Sequence, residues 1–120
     1  MSIEGILDKL LAEVPGAVGV SLLDDTGESI QTTSRNLPQG EMSTIGTLAE
    51  IQLRQLCRLL EAEEGERGTL VLEAENLSLL ARQLVDGYVL VLTQRAPGTI
   101  AMTRRSLDRA ALVLEQEVLG

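Results

Sequence analysis

Four sets of residues in this 120-residue chain are of types that could do chemistry. The stretch VPGAVGVSLL, residues 14–23, carries Pro15-Gly16 and then Gly19, and a glycine loop can cradle a phosphate. Asp24, Asp25 and Glu28 follow at once and could offer carboxylate oxygens to calcium. Arg54 and Arg58 stand one helical turn apart, a spacing that suits contact with an acidic surface or reach toward a phosphoryl group in trans. Cys57, the single cysteine, lies between them, and cationic neighbours favour a thiolate.

Context decides against most of this chemistry. A phosphate loop needs its glycines after a strand and before a helix, so that the helix N-terminus faces the anion. Gly16 and Gly19 come after a helical pattern and before a strand pattern, and no GK[ST] ending follows. They read instead as a helix stop and as a point of close packing inside a strand. The acidic trio lacks the spaced oxygens and closing Glu of a calcium loop and reads as a turn. Glu61, Glu63, Glu64 and Glu66 read as a solvated helix end rather than a metal site. Arg54 can pair with Glu50 at i,i+4, and Arg58 with Glu61 at i,i+3, which makes a solvated face. Partner contact through Glu50, Arg54 and Arg58 is the alternative. Cys57 sits among Leu56, Leu59 and Leu60 and reads as a small buried hydrophobe, with a reactive thiol as the alternative. Arg104, Arg105 and Arg109 read as the exposed side of a last helix.

Composition narrows the function classes further. Histidine is absent, which removes the usual general base, the usual zinc ligand and the Ser-His and Cys-His pairs. No nucleophile, base and orienting group come together, so the chain reads as no enzyme, with no catalytic residue, metal or cofactor. Nine Arg and one Lys against 18 acidic residues leave a net charge of −8, which argues against nucleic acid as a partner. One Tyr, no Phe and no Trp leave little on which bases could stack. The core must be aliphatic. One Cys allows no intramolecular disulfide. The stretch MSIEGILDKLLAE is amphipathic and acidic, unlike a secretory signal, and no apolar run approaches the roughly 20 residues that span a bilayer. A cytoplasmic chain with no direct membrane insertion is expected, with residues 1–120 forming one domain.

The elements follow from periodicity and punctuation. Ile3, Ile6, Leu7, Leu10, Leu11 and Val14 make one helical face, with Ser2 as N-cap and Pro15-Gly16 as the stop. Residues 17–23 and 28–33 read as a hairpin around Asp24-Asp25-Thr26-Gly27. A long helix is expected over 41–62, with Met42, Ile45, Leu48, Ala49, Leu56, Leu59 and Leu60 in one broad stripe. Ile51 and Leu53 fall outside that stripe, which hints that the helix is buried on more than one side. Strands are expected over 69–75, 77–85 and 88–94, with Asn76 and Asp86-Gly87 as turns. The run at 88–94 is apolar on both faces and should be a covered, central strand. RAPG at 95–98 is a loop, and Thr99 caps a last helix to about Leu119. The class is α+β: a five-stranded antiparallel sheet in the order α-β-β-α-β-β-β-α.

That order, with the stretch VPGAVGVSLLDDTGESI after the first helix and LVDGYVLVLTQ before the last, resembles the roadblock family of dynein light chains and bacterial MglB-type regulators. Leu107 and Ala110 stand at the family's spacing, while Thr99-Ile100-Ala101 occupies the place of its usual Asn-Leu-Gly start. The resemblance implies a sheet between one helix and a helix pair, and a homodimer in which the third strand pairs and the second helix packs. It also implies binding to a small Ras-like GTPase, with the two central helices as the platform, and remodelling of that GTPase by contact rather than by a lent arginine. On this chain the dimer interface would comprise Ile45, Leu48, Ala49, Gln52 and Leu56 of the helix with Leu70, Val71, Leu72 and Glu73 of the strand. The function expected is thus a non-enzymatic, homodimeric regulator or scaffold. The alternatives are a small-molecule-sensing domain, or a structural adaptor without GTPase contact; the almost wholly aliphatic central runs offer a ligand few polar groups.

Overall fold

In the computed structural model, which describes residues 2–60, 67–95 and 99–119, the chain starts as an amphipathic helix, α1 (Ile3–Glu13). Ser2 caps it: its Oγ accepts from the Gly5 N–H at 3.0 Å. The chain turns at Gly16 with φ +79°, where a side chain would be strained. Then follow β1 (Ala17–Leu23), β2 (Ser29–Ser34), α2 (Gln39–Leu59), β3 (Thr69–Glu73), β4 (Leu77–Gln83), β5 (Val89–Arg95) and α3 (Ile100–Leu114). Thr99 caps α3 by accepting from the Met102 N–H. A π-helical turn, Glu115–Leu119, carries the chain on to the end expected for the last helix. The acidic run at 61–66 and residues 96–98 of the expected loop lie outside the described residues.

The five strands form one antiparallel sheet in the order β2-β1-β5-β4-β3. The expected α+β architecture and element order hold. β5 is central and buried from Val89 to Gln94, as its two-sided apolar pattern requires. At Asp86 and Gly87 φ is +58° and +81°, the pair of left-handed residues that a tight hairpin needs. β3 and β2 are the two edges.

Side chains alternate across the sheet and build two cores. On one face, Val20, Leu22, Leu80, Leu90 and Leu92 pack against α1 and α3. On the other, Leu23, Ala81, Val89 and Val91 pack against Met42, Ala49 and Leu53 of α2. Gly19 is the close approach expected within a strand: a Cβ there would lie 2.6 Å from Met42 Sδ, and Met42 is fully buried. Among the described residues, no helix is long and apolar enough to cross a membrane.

Candidate interaction surface

Two apolar faces of α2 were expected, and the structure assigns them differently from the expected stripe. Met42, Gly46, Ala49 and Leu53 recur at helical spacing and face the chain's own sheet. Leu53, placed outside the stripe by sequence, is buried. Leu48 is 59% exposed, Leu59 and Leu60 are 79% exposed, and Leu56 and Ile51 are also open. The physical reason is size. A Cβ at Gly46 would sit 3.4 Å from Ser21 Cβ, so the helix rests on the sheet through its short side chains and turns its leucines outward.

The edge strand β3 meets this arrangement on the same face. Leu72 pairs with Leu79 and Leu70 with Ala81, and Leu70 and Leu79 pack at the rim of the α2 core. Leu72 therefore projects to the α2 side, and it is 52% exposed. Val71 points to the opposite core, half-buried. Among the described residues, ten large hydrophobics are exposed; Leu48, Ile51, Leu56, Leu59 and Leu72 lie on α2 or β3, and Leu60 is the C-cap of α2. A free strand edge beside unpartnered aliphatics is a surface that water disfavours.

The sequence-predicted interface residues separate into three sets. Leu48, Gln52, Leu56, Leu72 and Glu73 are exposed, and Ile45, Leu70 and Val71 are half-buried, so these eight offer surface. Ala49 does not: it is buried against its own sheet, because its methyl is part of the short-side-chain face. Glu50 does not offer partner contact either. Its residue is 3% exposed and its carboxylate lies over Gly27, where a Cβ would come within 2.9 Å of Oε2.

Glu50 belongs to a clamp that sequence reasoning saw only in part. Arg54 forms the expected i,i+4 ion pair with Glu50, outside hydrogen-bond geometry at Oε1, and donates to the Asp25 carbonyl. Thr47 Oγ1 donates to the Gly27 carbonyl at 2.9 Å. One side of α2 thus holds the β1–β2 turn, and Arg54 turns its guanidinium there while staying exposed. Cys57 is half-buried, with Sγ 3.5 Å from Gln83 Oε1. Arg58 is exposed, and its expected partner Glu61 lies outside the described residues.

The acidic turn is built as a turn. Asp24 Oδ1 accepts from Thr26 Oγ1 at 2.6 Å, from the Thr26 N–H at 2.9 Å and from the Glu28 N–H at 3.0 Å. These bonds, the Thr26 hydroxyl foremost, hold the carboxyl below its ordinary pKa. Beneath α2 sits a hydroxyl cluster that the sequence reading missed. Ser21 lies 3.0 Å from Thr32, Thr32 2.7 Å from Ser29 and 3.1 Å from Ser43. The hydroxyls satisfy one another and tie α2 to β1 and β2. The only sequence signal was the polar run SIQTTS on a strand otherwise flanked by aliphatics.

Similarity to known proteins is structural. The chain superposes over its whole length on all of a roadblock/LC7 domain from Streptomyces avermitilis, with a TM-score of 0.82 and 13% identity. It covers 98% of its length and 100% of MglC from Myxococcus xanthus at a TM-score of 0.70 and 23% identity. MglB from Myxococcus xanthus aligns with 93% of this chain and 90% of its own, at 0.75 and 19% identity. No protein-family model and no curated protein matches the sequence. The fold is that of the roadblock/LC7 domain, as the sequence resemblance implied.

Proposed function

We propose that this chain is a non-enzymatic, cytoplasmic homodimer that binds a small Ras-like GTPase and regulates or positions it. The observation that carries the reading is the shared surface of β3 and α2. An unpaired strand edge lies beside exposed leucines, on one sheet face, in a roadblock/LC7 fold. Pairing of β3 with its symmetry mate would satisfy the open backbone groups and cover Leu72. Packing of α2 on α2 would cover Leu48 and Leu56. The outer side of the helix pair, where Arg58 is exposed, would then face the GTPase.

The sensor alternative gains little, because the hydroxyls beneath α2 bond to one another. The test has two readouts. Light scattering on the purified chain should give twice the monomer mass. With the chain as bait in an extract of its source cells, a Ras-like GTPase should be enriched with either GDP or a non-hydrolysable GTP analogue, and not equally with both. A dimer that captures no GTPase in either state would refute the regulator reading and leave an adaptor.

A further inference from the structure

On the sheet face opposite that surface, α1 and α3 run antiparallel with a groove between them. One end is a depression of ≈ 240 Å³ walled by Ile6, Leu10, Leu112 and Val113. The other, of ≈ 230 Å³, runs past Pro15 and Met102 to Arg105 and Ser106. The two share Glu13 and Arg109, which lie 4.0 Å apart between them, so the groove is two neighbouring depressions. From Met102 to Val113 it spans about 17 Å, three helical turns.

The groove has a charge pattern of its own. Met102 and Leu112, 61% and 53% exposed, stand at its apolar ends, with Arg105 and Arg109 between them on one face of α3. Lys9 adds a third cation from α1. The one carboxylate on the lining, Glu13, lies 4.0 Å from Arg109. The lining thus holds Lys9, Arg105 and Arg109 against Glu13 alone, while the chain as a whole holds ten basic and eighteen acidic residues. An acidic ligand is therefore repelled by most of this molecule and attracted here. Nucleic acid and anionic lipid would meet the same attraction, but their charge runs on past the groove over a molecule whose net charge is −8, whereas an amphipathic helix confines its carboxylates to these cations and lays apolar side chains on Met102 and Leu112.

We propose that the α1–α3 groove docks an acidic amphipathic helix of a protein partner, with apolar side chains at its two ends and carboxylates between them. Arg105 and Arg109 receive the carboxylates, and Met102, Leu112 and Val113 receive the apolar anchors. The site does not depend on dimerisation, since it lies on the other face of the sheet.

The probes are two synthetic peptides of about five helical turns. Both carry leucines at helical spacing, with glutamates between them in one and lysines in the other. The expected result is that the glutamate peptide shifts amide resonances of α1 and α3 in the full chain, that the lysine peptide does not, and that added salt weakens binding. The double variant Arg105→Glu/Arg109→Glu, at exposed positions, should keep the wild-type melting temperature and lose about tenfold or more in affinity. Shifts confined to α2 and β3 would overturn the proposal. So would equal binding of both peptides, sedimentation with phosphatidylserine vesicles without peptide binding, or a change in oligomeric mass in the double variant.

Discussion

Leu72→Arg probes the proposed seam at a leucine on the free edge strand. Leu72 sits on the free edge strand, points to the α2 side and leaves about half of its surface in water. Burying a whole leucine is worth about 1.5–3 kcal/mol, so covering the remaining half contributes about 1 kcal/mol per protomer. A two-fold interface counts every residue twice, giving about 2 kcal/mol per dimer. Truncation by Leu72→Ala should therefore weaken dimerisation about 30-fold. Leu72→Arg loses the same burial and brings two guanidinium groups together across the axis, which adds about 2 kcal/mol or more of like-charge repulsion and desolvation. The sum predicts a dissociation constant about a thousandfold higher. Sedimentation velocity over a dilution series reads this directly. Circular dichroism and the melting curve report on the monomer, which should stay folded because Leu72 lies outside both cores. A folded Leu72→Arg protein that dimerises as tightly as wild type would refute the placement of the seam on β3.

Three further expectations concern the framework under that surface. Gly27→Ala forces a side chain into φ +87° and against the Glu50 carboxylate; it should cost about 2 kcal/mol, or roughly 8 °C of melting temperature, and an unchanged melt would dissolve the clamp. Gly19→Ala presses on buried Met42 and should cost about 1–3 kcal/mol. Combined with Met42→Ala it should cost less than the two separately, whereas simple additivity would mean that the two sites are not in contact. Asp24 should titrate below an ordinary carboxylate in an NMR pH series. Its folded pKa is depressed, so the turn's contribution is fully present above the unfolded pKa and is lost as pH falls through the folded one. Thr26→Ala should move the midpoint back up, and a midpoint at or above the ordinary value would contradict the hydrogen bonds seen.

The sequence made the elements legible where local chemistry settles them. Ser2 and Thr99 cap their helices, Asp86-Gly87 makes its hairpin, and the two-sided run at 88–94 is the central strand. Helix α2 shows where periodicity fails. Apolar residues lie around most of its circumference, and a hydrophobic pattern alone does not say which arc meets the chain's own sheet. The deciding residues are the small ones, Gly46 and Ala49, which carry almost no weight in such a pattern but set how closely backbones approach. The Glu50 clamp was hidden for a related reason. Its partner Arg54 is visible at i,i+4, but Gly27, Asp25 and Thr47 come together only once α2 lies across the β1–β2 turn.

Those small residues also bear on how the surfaces cooperate. Because α2 spends its short side chains inward, leucines such as Leu48 and Leu56 stay outside, on the same side of the sheet as exposed Leu72. In a dimer built by pairing β3 with β3, a two-fold axis perpendicular to the sheet keeps like faces together. Both α2 helices then lie on one side, and both α1–α3 grooves on the other. A partner that carries two acidic helices on a linker of matching span would engage both grooves and gain avidity with no new contact. The same partner would lose that gain on Leu72→Arg, although no groove residue had changed. The seam variant thus separates a groove that acts singly from a pair that acts together.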